Sequence, residues 1–105
     1  MNINKLQENG TLTFALEGKL DTRTAPQLQE VLLPAIAEAE KVVLDFTKLE
    51  YVASAGLRVL LMGHKQANAK GQANAKGCTL TITGVSPQIM EIFELIGFAN
   101  VLNIE

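Results

Sequence analysis

One stretch constrains the fold more than any other: Val42-Val43-Leu44-Asp45-Phe46, then Thr47 to Val52, then Ala53-Ser54-Ala55-Gly56-Leu57. Its first five residues are too continuously apolar for a half-exposed strand and predict a central one. It ends on a serine among very small residues. An amphipathic helix follows to about Lys70, with Leu57, Leu60, Leu61 and His64 at helical spacing. Ser54 therefore falls at a strand-to-helix turn, where free backbone N–H groups and the helix dipole favour negative charge. A phosphate there would meet unpaired donors, as anions at helix N-termini do. Ala53, Ala55 and Gly56 leave the hydroxyl unshielded. A serine in this place can equally be the N-cap of the helix.

The rest of the chain supplies partners for that strand. Ile3 to Gln7 and Thr11 to Leu16 alternate apolar and polar, and Asn9-Gly10 between them has the residues of a tight hairpin turn. Thr24 with Gln27 three residues on has the form of a capping box. Leu28, Leu32, Ala35, Ile36 and Ala39 then share one helical face, with a kink or break predicted at Pro34. Thr79 to Thr83 is a further strand. Ser86-Pro87 opens a third helix whose buried stripe is Ile89, Ile92, Phe93 and Ile96, and Gly97 ends it. Val101 to Ile104 adds a short edge strand. A hairpin followed by alternating helices and strands predicts an α/β fold: a mixed sheet of four or five strands with helices packed against it by right-handed crossovers. Ser54 and Asp21 both follow strands, so their turns are expected on one surface at the carboxyl edge of the sheet, where ligands of open α/β sheets sit.

Composition narrows the function. A chain of 105 residues has room for one core. No apolar run approaches the roughly 18 residues of a membrane span, and Met1-Asn2-Ile3-Asn4 begins no signal peptide. With a net charge of −2 and two arginines there is no basic stripe for a phosphate backbone, so nucleic acid is not an expected partner. Cys78 is the only cysteine, which excludes an internal disulfide or multi-Cys metal site, suits a reducing cytoplasm, and reads as a small core residue. Val52 to Gly56 has the look of a nucleophile elbow lacking its first glycine. Yet the sole histidine, His64, lies ten residues along the same helix, about 15 Å away, too far to serve Ser54 as base. No enzyme is expected. Asp45 reads as a turn or cap partner, Lys48 and Glu50 as solvent-facing, Met62 and Met90 as core filler, and Tyr51 as packed beneath the Ser54 turn.

Asp45-Phe46-Thr47, Leu49, Tyr51-Val52 and Ser54-Ala55-Gly56-Leu57 together resemble the signature of STAS domains, the anti-sigma factor antagonist family. The likeness extends to Gly18-Lys19-Leu20-Asp21 and to Gly84-Val85-Ser86-Pro87, and so covers nearly the whole chain. The resemblance implies a phosphorylation site at Ser54 and a partner-binding surface of Asp21, Thr22, Thr24, Ala53, Ser54, Ala55, Gly56 and Arg58. It also implies an anti-sigma factor, itself a serine kinase, as partner, a phosphatase that reverses the mark, no cofactor, and work in the bacterial cytoplasm. Many family members carry an acidic residue before that serine and a hydroxyl residue after it; here Ala53 and Ala55 take those places. Two other roles known for such domains stay open: accessory subunit of a lipid or anion transporter, and scaffold of a sensory complex.

Gln66-Ala67-Asn68-Ala69-Lys70-Gly71 is repeated letter for letter as Gln72-Ala73-Asn74-Ala75-Lys76-Gly77. Two units are too few for a solenoid. Gly71 is expected to cap the helix, with residues 72 to 77 bulging as a loop. The chain is then a monomer, and the competing outcome is a longer helix that swaps the segment from Cys78 onward between two chains.

Overall fold

The computed structural model describes residues 1–73 and 78–105. Five strands and three helices follow in the order β1 (Asn2–Glu8), β2 (Thr11–Leu20), α1 (Ala25–Glu38), β3 (Lys41–Val52), α2 (Ser54–Ala73), β4 (Thr79–Thr83), α3 (Pro87–Leu95), a 3-10 turn (Phe98–Asn100) and β5 (Asn103–Ile104). The expected α/β architecture with a mixed sheet is the observed one. Asn9 and Gly10 both take positive φ, the twist that suits a two-residue hairpin, and β1 pairs antiparallel with β2 from Glu8↔Thr11 to Asn2↔Glu17. Every later pairing is parallel, and the spatial order of strands is the chain order. Right-handed crossovers that always step the same way put α1, α2 and α3 on one face of the sheet. Leu12, Phe14, Leu16, Leu20, Val42, Leu44, Phe46, Leu80 and Ile82 are buried under them. The other face carries Thr13, Ala15, Val43 and Asp45, all only half-buried.

β3 is central, but it runs six residues past Phe46. Its register against β2 slips twice, between Ala15 and Glu17 and again between Gly18 and Lys19. Each time β3 carries the extra residue, since Asp45 to Lys48 spans Ala15 to Glu17, and Leu49 to Tyr51 spans Gly18 to Lys19. The bulges change the spacing of inward residues from two to three, so Phe46, Leu49 and Val52 all stay buried. Alternation alone predicts the strand to stop where the first bulge begins. Tyr51 falls outside the inward set and is 48 % exposed, not packed beneath the turn.

The helices depart from expectation in four further places. α1 passes through Pro34 without a break. Pro34 and Glu30, whose carbonyl loses its partner, both lie on the exposed side, where water can satisfy that carbonyl. α2 buries Gly56, Val59, Leu60, Gly63 and Ala67, while Leu57, Leu61 and His64 form a half-buried flank. Glycine suits this packing: a Cβ on Gly63 would stand 3.0 Å from Leu32 and 3.2 Å from Leu80, tight enough that the side chains of α1 and β4 would have to give. α2 also continues through Gly71 to Ala73, because the Ala, Gln and Lys around that glycine favour helix by more than one glycine costs. The cap expected at Gly71 is therefore absent. The remainder of the expected loop, 74–77, lies outside the described residues, and with it any swap through that segment. In α3 only Ile89 and Phe93 are fully buried; Ile92 is half-buried, and Ile96 is exposed as the residue that ends the helix before Gly97.

At Gly56 the helix lies close against the end of β2. A Cβ built there would lie 2.5 Å from Leu20 Cγ and 3.2 Å from the Leu20 carbonyl oxygen. Gly56→Ala is expected to lower stability by about 1–3 kcal/mol through overpacking. Phe46→Ala, which empties a fully buried site, should cost about 3–5 kcal/mol, whereas Tyr51→Ala should stay within about 0.5 kcal/mol. Urea unfolding of the three variants measures all of this at once.

Candidate functional site at the Ser54 turn

β2 and β3 end side by side, Leu20 opposite Val52, and the chain leaves each strand into a turn. The Ala53 N–H donates to the Leu20 carbonyl at 2.8 Å and so joins the two turns. Leu57 N–H donates to the Ala53 carbonyl at 3.0 Å, the first bond of α2, which makes Ala53 the cap and Ser54 the first helical residue. The N-cap reading of Ser54 is thereby overturned. Its side chain is exposed, and among the described residues its hydroxyl has no hydrogen-bond partner. The N–H groups of Ser54, Ala55 and Gly56 likewise meet no backbone acceptor among the described residues. The first turn of α2 holds no acidic residue. A hydroxyl without a partner and three amides without a backbone acceptor thus share the positive end of a 20-residue helix.

The neighbouring turn is rigid for a different reason. Asp21 Oδ1 accepts from the Arg23 N–H at 3.0 Å, the Thr24 N–H at 3.1 Å and the Thr24 hydroxyl. Thr24 Oγ1 in turn accepts from the Asp21 N–H at 2.8 Å and reaches the Lys19 carbonyl at 2.7 Å. Thr24 precedes α1 but caps nothing with its side chain, because Asp21 and Lys19 have already taken it, so no capping box with Gln27 forms. The Thr24 N–H, ahead of the other donors, holds the Asp21 carboxyl below its ordinary pKa, since a carboxylate accepts that bond better than an acid does. Asp21 and Thr24 serve the turn itself. Thr22, between them, is exposed and has no side-chain partner among the described residues.

The structure therefore brings Asp21, Thr22 and Thr24 to the same sheet edge as Ala53, Ser54, Ala55 and Gly56, with Arg58 exposed one helical turn beyond Ser54. Gly56 is buried and belongs to the floor of the site, not its surface. Sequence reasoning missed Tyr51 and Lys19, which stand opposite each other in the β2–β3 register at this edge, and Arg23. The signal for Tyr51 lay in the second bulge, which period-two alternation cannot contain. Asp45 is a turn partner, as expected: its Oδ1 accepts from the Thr47 N–H at 3.0 Å and the Thr47 hydroxyl at 2.6 Å at the first bulge. His64 bonds Asn68 at 3.2 Å within α2. Among the described residues no group of acidic, His or Cys side chains could hold a metal, and no helix is long and apolar enough to cross a membrane.

Residues 4–103 match a family model described as Mlab, STAS domain. A Bordetella bronchiseptica protein bearing the name anti-sigma factor antagonist BtrV is 34 % identical over 95 residues, covering 89 % of this chain and 76 % of that one. The anti-sigma-B factor antagonist of Staphylococcus epidermidis is 29 % identical over 105 residues, covering 99 % and 92 %. These names describe regulators, not enzymes. The phosphorylated form of the Bacillus cell fate determinant SpoIIAA has the same fold, with a TM-score of 0.72 at 18 % identity over 99 % of this chain and 91 % of that one. The match runs from within β1 to the start of β5 and includes both strand-end turns: the chain belongs to the STAS-domain family.

Proposed function

We propose that this chain is a phosphorylation-switched anti-sigma factor antagonist. With Ser54 unmodified it binds an anti-sigma factor and so releases a sigma factor. That anti-sigma factor is a serine kinase, which ends the interaction by phosphorylating Ser54, and a phosphatase restores it. The reading is carried by one observation: the Ser54 hydroxyl is exposed, unpartnered among the described residues, and set at the start of a long helix. The names of the two curated relatives support the partner class, and the phosphorylated SpoIIAA structure supports a covalent mark on this fold. The surface around Ser54, with Asp21, Thr22, Thr24, Ala53, Ala55 and Arg58, meets the partner in the bacterial cytoplasm.

Chemistry favours the switch at this place. A phosphate adds about 1.5–2 negative charges and three acceptor oxygens. Over the free amides of Ser54, Ala55 and Gly56 those oxygens have donors, so the modification leaves the fold intact while changing the charge of the surface. The absence of an acid at position 53 and of a hydroxyl at position 55 leaves Ser54 as the one acceptor of the turn.

Incubation with the cognate kinase and ATP should add one phosphate, located on Ser54 by mass spectrometry; a phosphate reproducibly found elsewhere overturns the assignment. In calorimetry Ser54→Ala should bind the anti-sigma factor at least as well as the unmodified chain. Ser54→Asp should lose about 2–5 kcal/mol if its carboxylate is buried unpaired at the interface. Equal affinities would mean that the partner docks elsewhere.

A further inference from the structure

We infer that the Ser54 edge is built to receive an acidic protein surface, with Arg58, Arg23 and Tyr51 as its anchors; this rests on the reading that the edge is where the anti-sigma factor docks. The chain has two arginines and one tyrosine, and all three lie here. Arg58 stands one turn from Ser54 on α2. Arg23 sits in the Asp21 turn. Tyr51, 48 % exposed, pairs in register with Lys19, one step before the Leu20–Val52 pair that carries the joint between the two turns. Elsewhere the cations are all lysines. Arginine and tyrosine are the residues that dominate binding energy at protein interfaces, because a planar guanidinium grips a carboxylate with two bonds and a tyrosine ring buries area at small entropic cost.

Charge gives the partner its sign. Among the described residues neither arginine forms a salt bridge. The Arg23 guanidinium acts on Asp21 only as the weakest of several influences, and that carboxylate takes its hydrogen bonds from its own turn, the Arg23 backbone N–H among them. Both Asp21 and Glu50, which is beside Tyr51, place carboxylates at this edge against Lys19, Arg23 and Arg58, which leaves one positive charge in excess. A positive edge on a chain of net charge −2 is a local property, and it complements carboxylates. Three cations are too few to track a nucleic-acid backbone. Phosphorylation of Ser54 then works by inversion: a dianion one turn from Arg58 cancels the positive edge and repels the acidic surface that it attracted.

The test uses the full chain and, as probe, the purified anti-sigma factor whose gene neighbours that of this chain, with association followed by stopped flow between low and physiological salt. The double variant Arg23→Glu/Arg58→Glu should associate at least about tenfold more slowly and lose its salt dependence, and Tyr51→Ala should raise the dissociation rate about tenfold. Lys41→Glu, at the opposite end of β3, should behave as the unmodified chain, and circular dichroism checks that each variant is folded. A double variant that associates within about twofold of the unmodified chain, with the same salt dependence, overturns the inference. So does faster association of that variant, which would indicate a basic partner, or an effect seen only with duplex DNA as probe. Ser54→Asp, run alongside, separates the two readings. If it binds normally while the arginine variant is slow, the acidic partner stands and the phosphorylation switch falls; if it binds weakly while the arginine variant is normal, the switch stands and this inference falls.

Discussion

Leu20 ties the molecule together at the point where chemistry is possible. Its carbonyl takes the Ala53 N–H, and its side chain fills the space that Gly56 leaves empty. One residue at the end of β2 thereby fixes the first turn of α2 in position and orientation. Without it the Ser54 turn would be an ordinary loop, free to satisfy its hydroxyl and amides locally. Because the helix is clamped against the sheet, the Ser54 hydroxyl stays exposed and the first amides of α2 stay without a backbone acceptor among the described residues. The polarity of the site is a consequence of an apolar contact beneath it.

The Asp21 turn shows the opposite economy. There the polar groups of Asp21 and Thr24 are used internally: one carboxylate oxygen receives the Arg23 and Thr24 N–H groups, and the Thr24 hydroxyl both gives and takes. Two turns of opposite composition lie side by side: Asp21 to Thr24 is polar throughout and bonded within itself, and Ala53 to Gly56 is small and unsatisfied. The saturated one holds its shape in water without help, which makes it a rigid wall for its neighbour. The unsatisfied one has binding capacity to offer a ligand, a modifying group or a partner.

Much of this was legible in the residues. Asn9-Gly10 announced the hairpin, Ser86-Pro87 announced α3 through a side chain that does accept from Ile89, and the small residues around Ser54 announced the turn. What escaped was whatever depends on the register between distant segments. Two bulges shift the inward side of β3, and nothing local in Thr47 to Val52 reveals that β2 will be shorter than β3 over this span. The fate of Tyr51 followed from that slip. Pro34 and Gly71 misled for the reverse reason: their local preference was clear, but an exposed position for one and a helix-favouring surround for the other overrode it.

The two ends of α2 live under different rules. At Ser54 the helix is so closely fitted that a methyl group on Gly56 would strike Leu20. At the other end, about 28 Å away at 1.5 Å per residue, the sequence has taken on a duplicated hexapeptide, and β4 still meets β3 from Lys41↔Thr79 to Asp45↔Thr83. A single helix thus runs from a place where one carbon is too many to a place where six residues are admitted. Added length in this chain is therefore kept to the pole of α2 away from the Ser54 turn, where the fit of helix to sheet is tight.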